Sequence, residues 1–200
     1  AYQVTSTHAG SNYTAHLTII NPTDPANATT IDLVGAAVGT AAVGADGTAY
    51  VTTVTGTDSS NYATHVTVIN PADSTNPTTI DLAGYTEWSV VVGADGTAYQ
   101  TTTTGAGSDY SSYTTHVAII NPSDPANFIS IQLSGNATDH VSAGHNGAVY
   151  QATFTGTWGA DSGSTTVSTH VTKINPADPA NFTTIDLDGA PYGSVVVGPG

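Results

Sequence analysis

An all-β fold of four repeated units, each of four short strands, is what the sequence predicts, and three observations predict it. The first is a phrase that returns along the chain: Thr40–Tyr50 (T-A-A-V-G-A-D-G-T-A-Y), Ser89–Tyr99 (S-V-V-V-G-A-D-G-T-A-Y) and a worn copy at Val141–Tyr150 (V-S-A-G-H-N-G-A-V-Y). A fourth copy is split between the termini, Ser194–Gly200 at one end and Ala1–Gln3 at the other. The second is a pair of runs after each copy: a His-led apolar run ending in Asn-Pro, then a run such as T-T-I-D-L before Gly. The third is enrichment in Val, Ile, Thr and Tyr with no helical period to compete. The units run 1–48, 49–97, 98–148 and 149–200 and fill the chain as a single domain. Four-stranded units at this period predict a four-bladed β-propeller.

Each element of the unit has a local reason. Val90–Val92 is apolar and β-branched, an inner strand A. Asp95-Gly96 and Asp46-Gly47 are tight hairpins, because Gly tolerates the positive φ such turns need. Thr97–Thr103 follows as strand B, and Thr115–Ile120 as strand C. Asn-Pro at 21–22, 70–71, 121–122 and 175–176 ends strand C, since Pro lacks the ladder N–H and Asn caps the turn. Ser130–Leu133 is strand D, ending before Gly135. The split phrase predicts that the carboxy end supplies strand A to a blade whose strands B, C and D come from the amino end. Two alternatives stay open: excision from a longer array, and closure of the split blade between molecules.

Composition narrows the function classes. The formal charge is −14, with Lys173 the lone basic residue besides the histidines. Such a surface repels nucleic acid phosphates and anionic membranes, so neither is an expected partner. Without Cys there is no disulfide framework, thiolate zinc site or thiol nucleophile. No apolar run reaches the ~20 residues that span a bilayer. Thr-rich, Asp-rich, Lys-poor sequence points to a secreted or cell-surface location.

The order V-V-V-G-A-D-G-T-A-Y, then H-V-T-V-I-N-P, then T-I-D-L resembles the NHL/YVTN class of bacterial β-propeller repeats, over the whole chain at the level of pattern. The resemblance implies a binding module or scaffold and supplies no site residues.

One His per unit stands in the same place: His16, His65, His116 and His170. A shared metal is disfavoured, because strand C lies roughly 9–10 Å further from the axis than strand A at ~4.8 Å per strand. Each His is instead expected to be buried, neutral and hydrogen-bonded to a neighbouring blade. No cofactor or metal is expected. Asp32, Asp81 and Asp186, with Gln132 in the remaining unit, fall on the outer strand, where a charge blocks edge-to-edge pairing. Lys173 replaces Ile19, Val68 and Ile119 of the other units and is expected to pair locally or reach solvent.

Function is expected in the loops that vary between units. The B-to-C and D-to-A loops share one face and gather Tyr13, Tyr62, Tyr85, Trp88, Tyr110, Tyr113, Trp158 and Tyr192, with Asp58, Glu87, Asp109, Asp139 and Asp161 among them. Aromatic bodies with polar tips on one rim suit a glycan or protein ligand. The leading expectation is a non-enzymatic binding or scaffold domain. One alternative is a self-assembling structural protein closed in trans, a homo-oligomer. Another is a hydrolase or lyase using His140, Asp139 or His145 for acid–base work.

Overall fold

The computed structural model describes every residue except 10–11, 58–60, 145–146, 158–165 and 199–200. Among the described residues the chain is all-β, with two short 3₁₀ turns and no helix long and apolar enough to cross a membrane. Four antiparallel sheets follow one another in chain order. Sheet 1 holds β1 (Tyr2–Ala9), β2 (Asn12–Asn21) and β3 (Asp24–Val34). Sheet 2 holds β4 (Ala36–Val43), β5 (Ala49–Thr55), β6 (Ala63–Ile69) and β7 (Thr78–Ala83). Sheet 3 holds β8 (Val91–Val92), β9 (Ala98–Thr104), β10 (Thr114–Ile120) and β11 (Ile129–Ser134). In sheet 4, β12 (Asn136–Ala137) and β13 (Ser142–Ala143) both pair with β14 (Val149–Thr157), which is followed by β15 (Thr166–Ile174) and β16 (Thr183–Asp188).

The turns form for the reasons their residues give. At the first hairpin Gly44 N–H donates to the Thr48 carbonyl at 2.8 Å, and Gly47 sits at φ 85°. The Asp46 carboxylate accepts from the Thr48 amide at 3.0 Å and from its hydroxyl at 2.9 Å, which holds the Asp46 carboxyl below its usual range. Asp95 and Thr97 repeat these bonds at 3.1 and 3.0 Å. After strand C, the side chains of Asn21, Asn70, Asn121 and Asn175 each accept from the backbone N–H two residues on, an Asx turn. Asp24, Asp73, Asp124 and Asp178 then accept from the amides of Asn27, Asn76, Asn127 and Asn181.

The core lies between sheets. Leu17 and Leu33 of sheet 1 share a cluster with Ala49, Val51 and Ile69 of sheet 2. Val66, Val68, Ile80 and Leu82 of sheet 2 meet Ala98, Ala118 and Ile120 of sheet 3. Val117, Ile119, Ile131 and Leu133 of sheet 3 meet Val141, Val149 and Ile174 of sheet 4. Threonines fill much of the remaining interior, some directing their hydroxyls to backbone carbonyls and others to side chains. Thr64, Thr115 and Thr169 donate to the carbonyls of Gly84, Gly135 and Gly189 at 2.9, 2.8 and 2.7 Å. Buried hydroxyls are tolerated when so paired.

No sheet is closed into a ring. The strand A expected for β1 from the carboxy end is not in place: β1 pairs only with β2, residues 190–198 form no strand, and Val196 is 91% exposed.

Two tyrosines at equivalent places in sheets 1 and 2 differ in one bond. The Tyr2 hydroxyl donates to the Gly47 carbonyl at 3.1 Å. The Tyr50 hydroxyl is buried with no partner among the described residues, and burial together with the Asp46 charge pushes its pKa up to about 12. Tyr50→Phe removes an unpaired buried hydroxyl and is expected to leave the urea midpoint unchanged or raise it. Tyr2→Phe should cost about 1 kcal/mol in the same titration.

Candidate functional site

Two arrangements of polar side chains stand out, one inside sheets 1, 2 and 4 and one at the loop end of sheets 2, 3 and 4. The first is built by strand register. Sixteen residues separate His16 from Asp32, yet β2 and β3 pair so that the two stand directly opposite. His16 Nδ1 lies 2.7 Å from Asp32, and its Nε2 lies 2.9 Å from the Thr7 hydroxyl on β1. Sheet 2 repeats this with Thr55, His65 and Asp81 at 2.9 and 2.7 Å. Sheet 4 repeats it with Thr155, His170 and Asp186 at 2.8 Å for both bonds. A carboxylate can only accept, so the Nδ1–H donates to it, and the tautomer that this selects offers Nε2 to the threonine hydroxyl as an acceptor.

These triplets correct two expectations. The histidines tie three strands of their own sheet together rather than reaching a neighbouring sheet. Their side chains are 18–25% exposed, so they are not buried. The aspartates do lie on the outer strand, 73–79% exposed, where each also accepts a hydrogen bond from the imidazole. The donor order is that of a hydroxyl–imidazole–carboxylate triad. Its recurrence on three sheets, always across the same strands, marks it as a cross-strand clamp. Among the described residues no group of three His, Asp or Glu is placed to hold a metal ion.

Sheet 3 departs from the pattern. Gln132 stands opposite His116, so among the described residues the ring keeps its contact with Thr104 at 3.1 Å and has no facing carboxylate. Burial without a facing carboxylate lowers the His116 pKa.

The second arrangement is a cleft of about 370 Å³ lined by Tyr62, Tyr85, Thr86, Glu87, Trp88, Thr103, Gly105, Tyr113 and residues 136–138. It joins B-to-C loops of sheets 2 and 3 to D-to-A segments of sheets 3 and 4. Its volume falls within the range of small-molecule sites. The Tyr62 and Tyr85 rings pack at 4.6 Å between centroids. Tyr85 is tied to β9 by reciprocal backbone bonds with Thr103, at 2.9 and 2.8 Å. Burial, the Glu87 charge and Tyr62 raise the Tyr85 pKa, so its phenol keeps its proton. The Tyr113 hydroxyl donates to the Gly107 carbonyl at 3.0 Å. Trp88 also borders a smaller recess of about 260 Å³ shared with Glu87 and His140. Trp88 thus borders two depressions.

A residue the sequence did not single out holds the Thr86–Trp88 segment. Gln100 is fully buried. Its amide nitrogen lies 3.1 Å from both the Thr86 hydroxyl and the Trp88 carbonyl, and 2.9 Å from the Thr101 carbonyl. Its carbonyl accepts from the Thr52 hydroxyl of sheet 2 at 2.7 Å. Thr86 in turn accepts from the Trp88 amide at 3.1 Å. The signal in the sequence is Y-Q-T, a Gln on a strand otherwise made of apolar and hydroxyl residues. Gln151 is its counterpart in sheet 4, bonded to Thr101 at 2.8 Å and to the Asp139 carbonyl at 2.9 Å.

Of the eight aromatic residues expected on the binding face, Tyr62, Tyr85, Trp88 and Tyr113 line the cleft. Tyr110 stands behind it, packed on Tyr113 at 5.4 Å and on Phe154 at 4.5 Å. Tyr13 lies on sheet 1 against His8, and Tyr192 is 96% exposed on the carboxy-terminal segment. Trp158, Asp58, Asp161 and His145 lie outside the described residues. His140 Nδ1 lies 2.5 Å from Asp139, whose other carboxylate oxygen accepts from the Ser194 hydroxyl. Burial works to raise the Asp139 pKa, but the bonds from Ser194 and His140 outweigh it and the carboxyl is held down. Lys173 is exposed and makes no ion pair among the described residues.

Compared with known proteins, the chain matches no family model and no curated protein.

The Gln132 exception gives a test by pH. The pKa of His116 is depressed in the folded state, so its contribution to stability is complete above the ordinary value of 6.5. It is lost as pH falls through the folded value. Gln132→Asp supplies the carboxylate the other sheets have, and is expected to move the His116 ring-proton titration in NMR to higher pH and soften the acid loss of stability.

Proposed function

We propose that this chain is a non-enzymatic carbohydrate-binding domain of a secreted or cell-surface protein, with the Trp88 cleft as its ligand site. Its scaffold is read as a propeller-type repeat array of the NHL/YVTN kind. The observation that carries the reading is the lining of the cleft: Trp88, Tyr62, Tyr85 and Tyr113 around Glu87, residues 136–138 and Thr103. A pyranose ring has an apolar C–H face that packs on an aromatic plane and a rim of hydroxyls that need acceptors and donors. Trp and Tyr supply the plane, and carboxylate, amide and hydroxyl groups supply the rim. The Thr103 hydroxyl, buried at this site, has no partner among the described residues.

Charge restricts the ligand further. A chain of net charge −14 repels sulfated or uronic-acid polymers, so the reading is for a neutral glycan. The Gln100 hub keeps the Thr86–Trp88 segment in one conformation before ligand arrives, which reduces the ordering cost of binding.

A glycan array followed by calorimetry on the best neutral oligosaccharide tests this. Trp88→Ala is expected to weaken binding at least about tenfold, as for a central aromatic anchor. Tyr13→Ala, on sheet 1 away from the cleft, is expected to leave binding unchanged. Binding that survives Trp88→Ala intact places the ligand elsewhere and overturns the assignment.

A further inference from the structure

The three internal junctions share one construction, and the two ends of the chain carry its two unmated halves. Each junction has a forward side on one sheet and a receiving side on the next. On the forward side, Ile80 and Leu82 of sheet 2 are 4% and 7% exposed, and Ile131 and Leu133 of sheet 3 are both 6% exposed. Their counterparts on sheet 4, Ile185 and Leu187, are 61% and 48% exposed. The backbone says the same. Gly35, Gly84 and Gly135 hold φ near 90°, and a Cβ on each would collide with a carbonyl oxygen of the following sheet, on Val54, Thr103 and Phe154. Gly189 has the same conformation at φ 100°, with no atom of the described residues within 4 Å of where its Cβ would be.

The receiving side is bare at the other end. Gln100 and Gln151 are fully buried against threonines of the preceding sheet, whereas Gln3 is exposed. The β1 strand has an open edge where β5 is paired by β4 and β9 by β8. Residues 190–198 repeat the inner-strand sequence and lie along sheet 4, where Ser142 Oγ donates to the Val195 carbonyl at 2.5 Å. They pair with no strand.

We infer that a second copy of this chain fills the vacancy, head to tail. Residues 190–198 of one copy add antiparallel to β1 of the next, and the Ile185–Leu187 face packs on the second copy's sheet 1. Internal pairing fixes the register. Val91 and Val92 oppose Tyr99 and Ala98, so Val196 and Val197 oppose Tyr2 and Ala1 of the second copy. Asn136 opposes Phe154, so Ala190 opposes Ser6. The chain's own β1 belongs to sheet 1, at the other end of the packing order from sheet 4, and does not meet residues 190–198 in this arrangement. The contact is heterologous, and it propagates into a filament or a larger ring. Lys173 tunes it. It stands on the forward side where Val68 and Ile119 are buried, so association must desolvate an ammonium or bend it outward.

Sedimentation velocity of the 200-residue chain across a wide dilution series tests this. The expected result is a mass that rises with concentration, and more steeply with added salt, because copies of a −14 chain repel each other. Ile185→Asp changes an exposed side chain, so it should fold as the parent does by circular dichroism and remain monomeric. Lys173→Ile is expected to tighten association about tenfold. The chain has no native Cys, so pairing can be trapped directly. Mixing Ala1→Cys with Val197→Cys chains should give a disulfide-linked heterodimer, and the doubly substituted chain a ladder of multimers. A mass that stays monomeric at every concentration, or a double variant that crosslinks only within its own chain, overturns the inference.

Discussion

The apolar contact between successive sheets is what the rest of this structure depends on. A single antiparallel sheet of four short strands has no interior of its own. Here each sheet acquires one only by laying its forward side on the next. Leu17, Val66 and Val117 hold the same place in three different junctions, and each is fully buried. The Gly84 backbone, the Thr64 hydroxyl bond and the Gln100 hub all require the spacing that this contact sets. Stability of this kind is a sum of nearest-neighbour terms rather than the property of one central core.

Polarity inside the molecule is handled by that same spacing. Gln100 and Gln151 sit where Val51 sits in sheet 2, and both are fully satisfied because a threonine of the previous sheet is in reach. A buried amide costs much when unpaired and little when every donor and acceptor is used. The first junction uses the apolar pair Val4 and Val51 instead. One geometry thus accepts two chemistries. The polar version has a second effect, since it fixes the segment that presents Trp88.

Much of the fold is legible in the sequence because its causes are local. Asp95-Gly96 reads as a hairpin from two residues, and Asn121-Pro122 reads as a strand end for the same reason. Pattern alone places the inner and outer strands to within a residue or two of β8 and β11. The illegible part depends on register and on the relation between sheets. The pairing of His65 with Asp81 needs β6 and β7 aligned across sixteen positions, and no short stretch of sequence contains that alignment. The aromatic face is legible as a set of loops but not as a site. Tyr62, Tyr85, Trp88 and Tyr113 converge because sheets 2, 3 and 4 bring their loop ends together. Tyr13 and Tyr192 lie on segments that this convergence does not reach. Closure at the termini is likewise a matter of the rotation between sheets, to which a repeated phrase is blind.

Each sheet draws its hydrogen-bonded strands from one contiguous stretch, and β1 waits for no late-arriving partner within its own chain. The order of synthesis is therefore the order of packing. A ribosome releasing this protein emits sheet 1 whole, then the sheet that covers it, and so on along the message. A topology of this kind needs only short loop closures within each sheet, which suits folding as the chain emerges.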